Sequence, residues 1–129
     1  MPRIAALLEA RDDIACAYLF GSRARGTATA ASDWDIALLT TGATPEERAA
    51  IILAVRGELI ALGSVDVADL DAAPPLLAAR VMREGRVVFC RDTARRRAFE
   101  LGVPRRYEEY LHLHRIQMQY LRQEYGNGT

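Results

Sequence analysis

Apolar residues recur along this chain in two alternating periods. Ile4, Leu7 and Leu8 share one helical face over residues 4–11, and Ile14 to Phe20 is an unbroken apolar run containing Tyr18, the mark of a buried strand. A stretch rich in Gly, Ser, Thr and Ala follows from Gly21 to Ser32. Asp33-Trp34-Asp35-Ile36-Ala37-Leu38-Leu39 then predicts a second strand that opens on two acids in alternation. Thr44-Pro45-Glu46-Glu47 is a helix start, with Thr44 as cap, Pro45 in the first turn and Glu47 placed to close a capping box. Ile52, Val55, Leu59 and Leu62 continue that helix at spacings of three and four, and Gly63 supplies its stop. Ser64 to Leu70 predicts a third strand, Pro74-Pro75 a break, Leu76 to Glu84 a short helix and Arg86 to Cys90 a fourth strand. A sheet of about four strands flanked by helices follows from this alternation.

From Asp92 onward the pattern is helical to the end, with an interruption predicted at Gly102-Val103-Pro104, where Pro104 suits the first turn of a final helix. That helix carries Tyr107, Leu111, His114, Met118, Leu121 and Tyr125 along one stripe, with Leu113, Ile116 and Tyr120 beside it. The apolar face is wider than one contact with a sheet requires, which leaves part of it for a partner. His112 and His114, two apart on a helix, point in different directions and make a poor metal pair. At 129 residues the chain has the size of one domain: residues 1–91 form the predicted core, and residues 92–129 a C-terminal helical extension of the same single domain.

Charge sharpens the division. Residues 1–79 hold six Arg against eleven Asp and Glu, and residues 80–129 hold eleven Arg against six, so a net charge of zero conceals minus five followed by plus five. All 17 basic side chains are Arg, which excludes any mechanism that needs a catalytic lysine. An Arg-rich half can face nucleic acid, a phosphate-bearing ligand or an acidic partner, and composition does not choose among them. Cys16 and Cys90 both sit in apolar strand-like runs and read as buried hydrophobes. There is no run of about 18 apolar residues, and Met1-Pro2-Arg3 does not open the basic, apolar, small order of a signal peptide, so a soluble, cytoplasmic protein without membrane contact is expected.

The candidate chemistry lies between the first two strands. Asp33 and Asp35 are one residue apart, so in a strand both carboxylates leave the same face, roughly 6–7 Å apart along the chain. Mg²⁺ binds a few carboxylate oxygens together with substrate phosphates and water, and two such ions about 3.5–4 Å apart can stabilise both oxygens of a phosphoryl-type displacement. Upstream, Gly21-Ser22 ends the first strand in a small-residue turn whose N–H groups and hydroxyl suit triphosphate oxygens without a lysine. Arg23 and Arg25 follow, and a guanidinium there would clamp phosphates through paired donors, although the sequence does not say which of the two reaches the ligand. A third acid is offered by Asp66 or Asp69, on opposite faces of the third strand. Asp66 is the better candidate because it interrupts the apolar start of that strand, whereas Asp69 lies near its exit. Trp34, between the acids, should face the opposite side of the sheet as core.

These residues resemble the nucleotidyltransferase superfamily of the DNA polymerase beta type, and specifically the minimal nucleotidyltransferase (MNT) proteins. The family pattern of Gly-Ser, ten residues, then Asp-x-Asp reads here as Gly21-Ser22, Arg23 to Ser32, and Asp33-Trp34-Asp35. Its motif core covers residues 18–39, and the order of elements extends the resemblance to about residue 90. The resemblance implies an α+β nucleotidyltransferase fold with a mixed sheet and a triphosphate contact from Ser22. It also implies Mg²⁺ held by Asp33 and Asp35, and Asp66 as a third metal-site acid that helps activate the acceptor hydroxyl. Many MNT proteins are antitoxins paired with a HEPN-domain ribonuclease toxin, acting by transfer of AMP from ATP onto a toxin tyrosine. The Glu84-Gly85-Arg86-Val87-Val88-Phe89 segment and the Tyr-rich C-terminal helix look like that group. The resemblance therefore implies ATP as co-substrate, a HEPN toxin as partner in a hetero-oligomer, and no direct nucleic-acid partner. Masking of the toxin without catalysis, or transfer to an aminoglycoside-like small molecule, are the alternatives.

Overall fold

Every residue of Ile14–Phe20 is buried, and this strand, β1, lies inside the sheet of the computed structural model, which describes residues 1–126. β2 (Trp34–Thr40) and β4 (Arg86–Cys90) flank β1 antiparallel, and β3 (Val65–Asp69) pairs with β2 parallel, giving the order β3-β2-β1-β4. The sheet is mixed and the class is α+β, as the resemblance to the nucleotidyltransferases implies, and its four strands are those the alternation of elements predicts. A parallel pair needs a crossover rather than a hairpin. Here α3 (Pro45–Leu59) and the 3₁₀ turn Ile60–Leu62 supply it between β2 and β3.

A strand buried on both faces needs cover on both, and the period-two alternation of side chains divides it between two layers. On one face, α1 (Pro2–Glu9) and α3 press Ile4, Leu8, Ile52, Val55 and Leu59 against Ala17, Leu19, Ile36 and Leu38. On the other, α4 (Pro75–Glu84) and α5 (Thr93–Leu121) press Ala78, Val81, Phe99 and Val103 against Tyr18, Phe20, Ala37 and Leu39. Cys16 belongs to this second layer and stands opposite Cys90 in the β1–β4 register; both are free thiols, and burial, then Cys90, push the Cys16 thiol up to about 12.

Local chemistry sets the helix starts. The Thr44 hydroxyl accepts from the Glu47 N–H at 3.1 Å and the Glu47 carboxylate accepts from the Ala43 N–H at 2.8 Å, a box closed one residue further out than the usual one. Asp92 caps α5 by accepting from the Arg95 N–H at 3.0 Å.

The interruption expected at Gly102-Val103-Pro104 does not occur: α5 is continuous from Thr93 to Leu121, with Pro104 inside it. An internal proline costs a helix about 3 kcal/mol through a lost hydrogen bond and a ring clash. The opposing gain comes from Phe99 and Val103, 3% and 4% exposed, which precede the proline and contribute about 1.5–3 kcal/mol each by burial against the sheet. At about 1.5 Å per residue, the 29 residues of α5 extend well past strands of five to seven residues. Its C-terminal half therefore overhangs the sheet, leaving Leu113, Ile116, Met118, Tyr120 and Leu121 exposed. The Tyr125 side chain, placed on this stripe by its spacing, lies outside the described residues. No helix among the described residues is long and apolar enough to cross a membrane.

Candidate active site

β1 ends at Phe20, which pairs with Asp35 of β2, so the turn after Phe20 runs directly beside the second acid. Gly21 makes that turn at φ +75°, in the left-handed region. A β-carbon at this position would stand 2.1 Å from Oδ2 of Asp35. Glycine is thus required twice, for the backbone angle and for the close approach. Ser22 then opens the single-turn helix α2 (Ser22–Arg25) and its carbonyl accepts from the Thr27 N–H at 3.0 Å, closing the turn behind it.

The acids converge from two strands. Asp35 and Asp66 are direct partners in the parallel β2–β3 register, which puts their side chains on the same face. Asp33 sits just ahead of β2, and the Ser64 hydroxyl, just ahead of β3, donates to its Oδ1. The Asp35 carboxyl is pushed up from its ordinary range, first by burial and then by the charge of Asp66, with a smaller push from Asp33; Arg80 and Arg25 pull it partly back. Asp69 is placed elsewhere: it faces Arg48 at 3.7 Å and accepts from the Asp71 N–H at 3.0 Å.

No group of three or more His, Cys, Asp or Glu side chains among the described residues is placed to hold a metal ion by itself. Mg²⁺ does not need one, because it is usually held by one or two carboxylates, water and the substrate's own phosphates. Asp35, desolvated and beside the charges of Asp66 and Asp33, is the carboxylate that a hard divalent cation would relieve, and Asp33, Asp35 and Asp66 are the candidate ligands.

The two arginines that follow Ser22 part company. Arg23 turns to the other side of the sheet, where its guanidinium lies 4.0 Å from the centroid of the Trp34 ring and donates to the Ser32 carbonyl at 2.9 Å. It pins the 26–32 loop and is not brought to the acids. Trp34 itself packs against the α1–α3 layer. Arg25 faces the acids and pairs with Glu84 of α4, both carboxylate oxygens lying 3.1 Å from its Nη1.

Three residues that the sequence did not single out for chemistry also belong to this neighbourhood: Ser64, Arg80 and Glu84. Glu84 Oε1 accepts from Arg80 Nε at 2.8 Å and from the Gly21 N–H at 3.2 Å. One local sign of Glu84 exists, since an acid at the last position of a helix opposes the helix dipole and needs a compensating partner. A separate cleft of about 520 Å³ opens between α4, α5 and β4, lined among others by Met82, Val87, Val103 and Tyr107, and none of the three aspartates lines it. At its wall the buried Tyr18 hydroxyl donates to Glu100 at 2.7 Å.

The family model of polymerase beta, nucleotidyltransferase, matches residues 3–94, from α1 through β4. The chain belongs to this family. No curated protein matches. Among solved structures, this nucleotidyltransferase is similar to a chain of a toxin–antitoxin crystallised with AMP-PNP, at 26% identity and a TM-score of 0.64, over 95% of each chain. It is also similar to a chain of a mutant MntA toxin–antitoxin pair, at 26% identity and a TM-score of 0.62, over 95% of this chain and 94% of that one. A complex of a tri-AMPylated Shewanella oneidensis HEPN toxin with an MNT antitoxin shares the fold, at 23% identity and a TM-score of 0.57, over 95% of this chain and 92% of that one. Coverage of 95% takes in much of α5, of which the family model reaches only the first two residues.

Proposed function

We propose that this nucleotidyltransferase is an antitoxin that transfers AMP from Mg²⁺-ATP to a tyrosine hydroxyl of a HEPN-domain ribonuclease toxin and so neutralises it. The reading is carried by the pairing of Asp35 with Asp66 beneath the Gly21 turn, in a chain alike over 95% of its length to a toxin–antitoxin component crystallised with an ATP analogue.

The Gly21 N–H, the Ser22 hydroxyl and Arg25 bind the β- and γ-phosphates, and Asp33 and Asp35 would hold the metal through their carboxylate oxygens. When bound, Mg²⁺ neutralises phosphate charge and supplies Lewis-acid polarisation at the α-phosphate. Asp66, on the outer strand, takes the proton of the acceptor hydroxyl at its carboxylate. The acceptor oxygen then forms a bond to the α-phosphorus in line with the bond to the β-phosphate bridge, which breaks as pyrophosphate leaves. Arg25 and Arg80 offset the charge on that leaving group. Positioning and charge neutralisation, rather than covalent catalysis, carry such a reaction. Incubating the chain with its HEPN partner, Mg²⁺ and ATP should add one or more AMP masses to the partner by mass spectrometry; no gain would count against transfer.

The exposed apolar half of α5 favours a second reading, in which the chain silences the toxin by covering it. Full neutralisation by an Asp33→Asn, Asp35→Asn double variant would support masking over transfer.

A further inference from the structure

Glu84 is the last residue of α4, where a negative charge meets the negative end of the helix dipole. That local penalty is offset by Arg80, four residues earlier on the same helix, and by two groups from the turn after β1. The side chain is only 14% exposed, and it is surrounded by the Gly21 N–H, Arg25 and Arg80. Burial works against its charge, but the hydrogen bonds from Arg25, Arg80 and Gly21 prevail and hold its carboxyl below the ordinary range.

The donors that grip Glu84 are those the triphosphate would use. The Gly21 N–H opens the phosphate-side turn, Arg25 follows three residues after Ser22, and both Arg25 and Arg80 act electrostatically on Asp35 as well as on Glu84. Two guanidinium groups and one backbone N–H directed at a single anionic group make a built anion site. A phosphate oxygen and a carboxylate oxygen satisfy such donors alike, and one set cannot serve both at full strength.

We propose that Glu84 is the resident anion of the nucleotide site, and that the triphosphate of an incoming nucleotide must displace it from the Gly21 N–H, Arg25 and Arg80. This rests on the nucleotide reading given above. Glu84 is then a competitor that keeps the donor set oriented when no nucleotide is bound and sets the threshold for binding. Charge-assisted hydrogen bonds of this kind are strong enough for their release to change affinity by about tenfold.

The experiment is calorimetric titration of AMP-PNP with excess Mg²⁺ into the full chain and into two variants. Glu84→Gln keeps the shape and removes the charge, whereas Glu84→Asp keeps the charge and withdraws it by one methylene. Both should bind AMP-PNP more tightly than the native chain, Glu84→Gln by about tenfold and Glu84→Asp by less, with melting temperatures recorded to show that both fold. Equal or weaker binding by both variants would mean that Glu84 supports the site rather than competes for it, and would overturn the proposal while leaving the nucleotide reading intact. Tighter binding by Glu84→Gln alone, with Glu84→Asp at native affinity, is a bulk charge effect and also overturns it. Absence of binding by all three forms removes the nucleotide reading itself, and the displacement with it.

Discussion

Oδ2 of Asp35 lies 2.1 Å from where a β-carbon of Gly21 would be, so the backbone of the phosphate-side turn and the carboxylate share one small volume. The turn fixes where Asp35 points, and Asp35 in turn fixes which residue the turn accepts.

Gly21→Ala should therefore impair both stability and transfer. At φ +75° and ψ −159° a side chain costs about 1–3 kcal/mol, and the added methyl forces the Asp35 carboxylate aside. Misplacement of a reacting group by about 1 Å costs on the order of 10²-fold in rate. A lower melting temperature together with a loss of AMP transfer of that order is expected; native activity in the alanine variant would show that the turn and the acid are not coupled.

Asp35→Asn should stabilise the protein while abolishing transfer. Burial and Asp66 raise the Asp35 carboxyl in the fold, so the folded state holds that proton more tightly than the unfolded chain does. Charging it costs stability that grows as pH rises from about 4 through the folded value, and that is regained as pH falls. Melting curves across pH should put the asparagine variant above the native chain at neutral pH, with the gap closing below about pH 4. A constant gap at all pH values would trace the effect to something other than this carboxylate.

Ser64→Ala should weaken Mg²⁺ binding without unfolding the chain. The Ser64 hydroxyl donates to Asp33 across 31 residues of sequence and orients a candidate ligand from outside the metal shell. Removal of such outer partners lowers metal affinity or activity by about 10–100-fold. The Mg²⁺ concentration that supports half-maximal transfer should rise by that factor, while the melting temperature measured without metal changes little.

Leu113→Asp with Ile116→Asp should separate folding from partner binding. Leu113 and Ile116 are 60% and 48% exposed, and surface changes of this sort alter stability by about 0.5 kcal/mol or less. If this overhang seats the toxin, loss of two central apolar contacts should cost about 2 kcal/mol or more of affinity. Retained co-purification with the HEPN partner at native affinity would place the interface elsewhere.

Several features were legible from the residues alone because their causes are short-range. The strand Ile14–Phe20 follows from an unbroken apolar run, and the start of α3 follows from Thr44 and Glu47, whose hydrogen bonds span three or four residues. The opposite outward direction of Trp34 relative to its acidic neighbours follows from the two-residue period of a strand. Those signals need no knowledge of what packs where.

What the tertiary structure decided concerns residues far apart in the chain. Gly21 meets Glu84 across 63 residues, and Asp35 meets Asp66 only because β2 and β3 pair in one register; a shift by a single residue would turn Asp66 to the other face. The division of labour between Arg23 and Arg25 was equally invisible, since it depends on whether Trp34 or Glu84 is within reach. Pro104 is the opposite case: its local preference is to start a helix, and the burial of Phe99 and Val103 against the sheet overrides it. Sequence by itself determined the four strands, the start of α3 and the chemical types at the site, because these depend on neighbours along the chain. Only the folded sheet decided which of those groups face one another, because strand register and the end of α4 set distances that no local spacing encodes.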